Sequence, residues 1–236
     1  MPKYIGEPEF RHGAPEKIGV LVTNLGSPEN CDTGSVRRYL AEFLADPRVV
    51  EVPRFLWRII LHGIILRFRP SRSAKAYAKV WTADGSPLID IAARQKDGIE
   101  QRLRKVFGEN VEVELAMRYG KPSVPDALER LNLKNVRKLL VYPLYPQYSA
   151  VTGASTFDAV AAVLTQKRWI PELHTINQYH DEPGYIDALA TSVESHWEEH
   201  GRGERLLMSF HGVPRRYLLN GDPYHCQCHK TARLLA

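Results

Sequence analysis

His211 is the residue on which a chemistry can be built. It closes the apolar run Leu206-Leu-Met-Ser-Phe210, and Gly212-Val-Pro214 follows at once. The run predicts a buried parallel strand stopped by Gly-x-Pro, which sets the imidazole at the strand's carboxyl end. Open α/β sheets place their ligand crevices there. An imidazole can accept a proton near neutral pH or bind a metal through a neutral ring nitrogen. Alone, such a histidine reads as a hydrogen-bonded core or loop residue. What argues for chemistry is its company elsewhere in the chain.

Three other loops follow predicted strands: Asn24-Leu-Gly-Ser-Pro28, Arg118-Tyr-Gly-Lys-Pro122 and Pro143-Leu-Tyr-Pro-Gln-Tyr-Ser149. In a parallel sheet such loops converge on one edge, which would gather Arg118, Tyr119, Tyr145, Tyr148, Ser149 and His211. Aromatic walls with a cation and a histidine suit a flat, largely apolar ligand that carries a carboxylate and exchanges a proton or a metal. A nicotinamide cofactor is disfavoured, because Ser27-Pro28 follows Gly26 and no Gly-x-Gly-x-x-Gly opens the first helix. The Gly-x-x-x-x-Gly-Lys phosphate loop is missing too. His174 and His180 follow a short predicted strand, with no motif around them. His225-Cys-Gln-Cys-His229 packs four candidate ligands into five residues. On a helix His225 and His229 share a face while Cys226 and Cys228 do not, so a tetrahedral site would need local unwinding. A structural role and a metal site both stay open there.

The elements that must hold these loops alternate strand and helix. Ile18 to Asn24 predicts a buried strand, and Thr33 to Ala45 a helix with Val36, Tyr39, Leu40, Phe43 and Leu44 on one side. Ser86 as N-cap and Pro87 at the first helical position open a helix that keeps Ile91, Ile99, Leu103 and Val106 at helical spacing. Strands are expected at Val111 to Met117, Arg137 to Tyr142 and Leu173 to Ile176. Helices are expected at Pro125 to Leu131, from Thr152 to about Gln166, from Pro183 to about His200, and from about Tyr224 onward. The alternation implies a parallel sheet covered on both faces.

Composition bounds the class. At 236 residues and 44% hydrophobic, the chain can bury one large core or two small ones. Its three cysteines cannot build a disulfide framework, which points to a reducing compartment. Met1 to Pro15 is polar without an apolar core segment, so no secretory signal is read and a cytoplasmic location is expected. The net charge of +5 is uneven. Between Val52 and Ala83 lie Arg54, Arg58, Arg67, Arg69, Arg72, Lys75 and Lys79 with no Asp or Glu, around the apolar run Phe55 to Leu66. That run is too short to span a bilayer. It suits a membrane surface, giving a peripheral, membrane-associated protein, or the lip of a pocket for an apolar, anionic ligand. An ordinary amphipathic helix with a solvated basic face is the plain alternative. No nucleic-acid motif or stacking-aromatic pattern accompanies the charge, so nucleic acid is not an expected partner.

These residues resemble the ferrochelatases, which insert ferrous iron into a porphyrin at the end of haem biosynthesis. The similar pieces are Leu21-Val-Thr-Asn-Leu-Gly-Ser-Pro-Glu29, Tyr77 with Gly85-Ser-Pro87, Arg118-Tyr119, Tyr145-Pro-Gln-Tyr-Ser149 with Thr152-Gly153, and Ser209-Phe-His-Gly-Val-Pro214 with Gly221-Asp-Pro-Tyr224. They run in family order over nearly the whole chain. The resemblance implies a chelatase-like α/β protein with two Rossmann-like parallel-sheet domains: residues 1–178, with a porphyrin-pocket lip at 52–83, and residues 179–236 as the first half of a second, incomplete domain. It implies that His211 is the catalytic histidine, as acceptor of pyrrole protons and as iron ligand. Arg69, Tyr77 and Ser86 match positions that hold the porphyrin, Arg118 matches a pocket arginine, and Tyr119, Tyr145 and Ser149 complete the expected substrate contacts.

The chemistry agrees with that assignment. Two pyrrole N–H protons must leave as a divalent cation enters the ring, which needs a neutral base on one face and a wet route for iron. A rigid aromatic cleft can bend the macrocycle if remote contacts supply the binding energy, and Arg69 and Arg118 could supply it by pairing with propionates. Ferrous iron is then a substrate. The family's partner glutamate lies in a segment beyond Ala236, so a C-terminally truncated chain, inactive as it stands, is expected. Animal members hold an iron–sulfur cluster through a cysteine just after the Tyr-Pro-Gln-Tyr-Ser run, where this chain has Ala150, and no such cluster is expected. The implied reaction is Fe(II) insertion into protoporphyrin IX to give protohaem. The alternatives are a chelatase for another tetrapyrrole or metal, such as coproporphyrin or cobalt, and a non-catalytic porphyrin-binding fragment.

Overall fold

The computed structural model describes residues 4–7 and 11–236, so the reading of Met1 to Pro15 falls partly outside the described residues. The chain divides into two compact units, one of Met1–Leu144 and Ala154–Ile176, the other of Tyr145–Gly153 and Asn177–Ala236.

The first unit is built on four parallel strands: β1 (Lys17–Asn24), β2 (Val111–Met117), β3 (Val136–Pro143) and β4 (Glu172–Thr175), in the order β2-β1-β3-β4. Register pairs Val20 with Val113 on one side and with Leu140 on the other. Helices cover both faces, which is why β1 reads as a near-continuous apolar run, whereas the edge strand β2 carries Glu112 and Glu114, paired with Lys17, Lys134 and Arg130. Leu21, Ala116, Leu139 and Val141 pack under α5 (Val124–Leu133) and α6 (Ser155–Leu164), with Leu128, Leu131 and Val160. Val20, Val22, Val113 and Leu115 pack instead against Leu88, Ala92, Ile99 and Leu103 of α4 (Pro87–Phe107). Ser86 stands at the N-cap of α4 with Pro87 in the first turn, although its hydroxyl makes no capping bond.

A third apolar cluster joins α1 (Thr33–Ala45) to the basic segment. Asp32 caps α1 by accepting from the Gly34 and Ser35 amides at 2.7 and 3.0 Å. The basic segment folds as α2 (Arg54–Ile60), a π-helical turn at Leu61–Ile65 and α3 (Leu66–Tyr77). Pro70 lies inside α3 and brings no N–H to the Leu66 carbonyl, which accepts instead from Arg37 Nε at 3.0 Å. One side of this segment is packed through Leu61, Leu66 and Ala74. The other side leaves Phe55 81%, Ile59 56%, Ile64 57% and Phe68 73% exposed. Among the described residues, no helix is long and apolar enough to cross a membrane.

The second unit holds residues 150–153 of a π-helical turn (Ala150–Ala154) and three helices: α7 (Pro183–His200), α8 (Arg215–Leu219) and α9 (Tyr224–Leu235). Here one expectation is corrected. Leu206 to Phe210 is not a strand: residues 201–214 form no helix or ladder with any described residue, and Leu207 is 90% exposed. A strand exists through the hydrogen bonds of its neighbours, and an apolar run without them has no reason to be extended and buried.

Candidate functional site

In the first unit the loops after β1 and β2 are laced together. The Arg118 amide donates to the Asn24 carbonyl at 2.7 Å and the Tyr119 amide to the Leu25 carbonyl at 3.0 Å. Gly26 makes this approach feasible: its φ is +102° and a Cβ there would overlap the Tyr119 carbonyl oxygen.

Those loops deliver Arg118 and Tyr119 to a buried carboxylate. Asp46 Oδ2 accepts from Arg118 Nη2 at 2.6 Å, from Tyr119 Oη at 2.8 Å and from Ser155 Oγ at 2.5 Å. Asp46 Oδ1 accepts from the Arg48 amide at 2.7 Å. Burial opposes ionisation of Asp46, but the bonds from Ser155, the Arg48 amide and Tyr119, with the Arg118 charge, outweigh it and hold the carboxyl below the usual range. Burial above all raises the Tyr119 phenol, which stays protonated. Arg118 Nε donates to Ser155 Oγ at 2.7 Å and to its carbonyl at 2.9 Å, and the guanidinium lies 4.4 Å from the Tyr119 ring centroid. Arg118 thus has an internal carboxylate partner, where the sequence reading offered it to a propionate. Asp46 and Ser155 escaped that reading because neither belongs to a motif that carries chemistry.

Tyr77 and Tyr119 are linked by rings on α1. Tyr77 meets Tyr39 edge-on at 6.5 Å, Tyr39 stacks on Phe43 at 6.0 Å, and Phe43 meets Tyr119 edge-on at 5.2 Å. Burial raises the Tyr77 phenol, while its hydrogen bond with Tyr39 and the charge of exposed Arg69 oppose that rise. Arg69, Tyr77 and Tyr119 therefore belong to one neighbourhood. Ser86 is buried behind the turn in which Thr82 and Gly85 exchange backbone hydrogen bonds at 3.0 and 3.1 Å.

In the second unit the loop carrying Tyr145 and Ser149 is tied to α9 and the turn before it. Ser149 Oγ and the Ala150 amide both donate to Asp222 Oδ2, at 2.9 and 2.8 Å. The Tyr148 amide donates to Gln227 Oε1 at 2.7 Å, and Gln147 Nε2 to Thr231 Oγ1 at 3.0 Å. Ser149 is 1% exposed and Tyr145 half-buried. His211 is exposed, and its amide donates to Tyr224 Oη at 3.2 Å.

The other histidines separate clearly. His174 is exposed and paired with Glu172 at 2.8 Å. His180 is 5% exposed, and burial lowers its pKa against the opposing charge of Asp181. His225 and His229 share a face of α9 with ring centroids 4.5 Å apart, whereas Cys228 is buried and Cys226 exposed. The helix is not unwound. Among the described residues no group of three or more His, Cys, Asp or Glu side chains is placed to hold a metal ion.

A parallel α/β unit with these motif loops at its strand ends defines the class as a chelatase-like α/β protein. The Ferrochelatase family model matches residues 17–236, and the chain belongs to the ferrochelatase family. It is 59% identical over 236 residues to a ferrochelatase of Marinobacter nauticus, covering 100% of this chain and 64% of that protein. It is 58% identical over 234 residues to ferrochelatases of Idiomarina loihiensis and Thioalkalivibrio sulfidiphilus, covering 99% of this chain and 64% and 63% of theirs. The chain thus spans somewhat under two thirds of the length of these relatives.

Proposed function

We propose that the chain acts as a ferrochelatase, inserting Fe(II) into protoporphyrin IX to give protohaem with release of two protons. The reading is carried by the family match across residues 17–236, which includes every candidate residue. The His211 imidazole ligates the incoming iron and, once the iron has passed to the ring, takes up the pyrrole protons one at a time and hands each to water. Arg69 pairs with a propionate. Tyr77 and Tyr145 hold the ring, while the buried Ser86, Tyr119 and Ser149 act by fixing their own loops, and Arg118 contributes by setting Tyr119 rather than by meeting substrate. Residues 1–178 make the first chelatase domain and 179–236 the opening half of a second. No iron–sulfur cluster takes part, since Ala150 stands where animal members place a cysteine ligand. The exposed apolar residues of α2 and α3, set among seven basic side chains, suit peripheral contact with an anionic lipid surface from the cytoplasm.

The test is zinc insertion into protoporphyrin by the purified chain, read as growth of the zinc-porphyrin emission. Turnover supports the reading, and competition with coproporphyrin or cobalt then sets the substrate. A second reading, porphyrin binding without turnover, is favoured by the exposed, unpaired segment that carries His211. Quenching of tryptophan emission by porphyrin with no zinc product would select it.

A further inference from the structure

We propose that Asp222 and Tyr224 form a positioning relay in the second unit, which holds the His211 backbone and the loop of Tyr145 and Ser149 in one fixed arrangement. As a statement about catalysis this rests on the reading of His211 given above; as a statement about structure it does not.

Both carboxylate oxygens of Asp222 are engaged, and on different elements. Oδ2 accepts from Ser149 Oγ at 2.9 Å and the Ala150 amide at 2.8 Å, while Oδ1 accepts from the Tyr224 amide at 3.0 Å. All three partners are donors, so a carboxylate fits where an amide side chain would present one wrong group. Asp222 is itself anchored, because its amide donates at 3.0 Å to the carbonyl of Tyr217, which is 7% exposed. Gly221, at φ +94°, lets the chain turn out of α8 to reach that point.

Tyr224 carries the link onward. It opens α9, and its hydroxyl accepts the His211 amide at 3.2 Å while hydrogen-bonding the buried Cys228 thiol one turn along the helix. Residues 201–214 have no helix or strand to hold them. In such a segment one acceptor fixed to a helix does what a sheet ladder does elsewhere. The Tyr145 loop and the histidine backbone are therefore joined through three consecutive side-chain contacts, none of which needs to touch substrate.

The experiment compares Asp222→Asn and Tyr224→Phe in the 236-residue chain. Backbone amide exchange is followed residue by residue, beside the kcat and KM of zinc insertion. An asparagine cannot accept from both sides, so Ala150 or Tyr224 should exchange about fivefold faster or more, the ratio that loss of one ordinary hydrogen bond gives. Tyr224→Phe should speed exchange at His211 by a similar factor and leave Ala150 unchanged. In both variants kcat should fall about tenfold with KM held within about twofold, the signature of a misplaced group rather than a lost contact. Unchanged exchange at these amides would overturn the relay, and faster exchange with wild-type kcat would overturn its part in catalysis. Should Asp222→Asn fail to fold, Tyr224→Phe removes a single oxygen and decides the His211 link alone. A wild-type chain that exchanges as expected but makes no zinc porphyrin would select porphyrin binding without turnover for this chain and leave the structural relay standing.

Discussion

The carboxylate of Asp46 and the guanidinium of Arg118 meet at 2.6 Å inside the first unit, with the Asp46 side chain 3% and the Arg118 side chain 17% exposed. The contact joins the end of α1 to the loop after β2, and Tyr119 and Ser155 share the same carboxylate oxygen. A charge neutralised in this way is a poor anchor for a substrate anion, which redirects what each arginine is expected to do.

Removing the carboxylate should be costly. Asp46→Asn leaves the guanidinium without its counter-charge, and we expect a loss of about 3 kcal/mol in the first unit, the low end for breaking a buried pair. Because the folded-state pKa of Asp46 is depressed, its stabilisation is present above the ordinary aspartate range and lost as pH falls below about 4. Urea unfolding at pH 7 and at pH 3.5 measures this. The gap between wild type and Asp46→Asn should shrink at the lower pH, and an unchanged gap would mean that the carboxylate is not what Arg118 needs.

The two arginines should part company in binding. Arg69→Leu is expected to weaken binding of the free diacid porphyrin by about 1.5 to 3 kcal/mol and to leave the dimethyl ester unaffected, as for loss of a charged hydrogen bond. Arg118→Leu should instead lower the melting temperature and weaken diacid and ester alike. Fluorescence titration with both ligands decides it: an Arg118 effect confined to the diacid would restore Arg118 as a propionate partner.

Loss of the imidazole should separate binding from chemistry. His211→Ala is expected to abolish zinc insertion while porphyrin still quenches tryptophan emission, since an exposed imidazole adds little to holding an apolar ring. Retained turnover would remove His211 from the mechanism.

The basic segment should bind anionic membranes. Vesicles of phosphatidylcholine with phosphatidylserine should sediment the chain, less so as salt rises, while phosphatidylcholine alone should not. Phe68, 73% exposed, contributes by inserting its ring, and Phe68→Ser should cost up to about 2 kcal/mol of partitioning. Equal binding to neutral and anionic vesicles would rule out the electrostatic part.

Much of the first unit was legible in the sequence because its signals are local. The Ile18 to Asn24 run, the Val36, Tyr39, Leu40 and Leu44 spacing, and Pro87 after Ser86 each specify an element with little help from neighbours, and β1, α1 and α4 lie where those signals point. Parallel pairing followed from the alternation of strand and helix. The motif loops were legible for the same reason, and with them the family.

What escaped the sequence depends on partners far away along the chain. Asp46 meets Arg118 and Ser155 across 72 and 109 residues, and Ser149 meets Asp222 across 73, separations that no local pattern encodes. The Leu206 to Phe210 run shows the reverse case. Its composition is that of a buried strand, yet strand structure is conferred by hydrogen-bonded neighbours and burial by a covering surface, and neither is supplied by the described residues. Sequence alone named the residues whose side chains suit the proposed chemistry, because suitability is a property of side chains. Only the tertiary structure decided that Arg118 is already paired, and that the Tyr224 hydroxyl accepts from the His211 amide, because pairing is a property of distance.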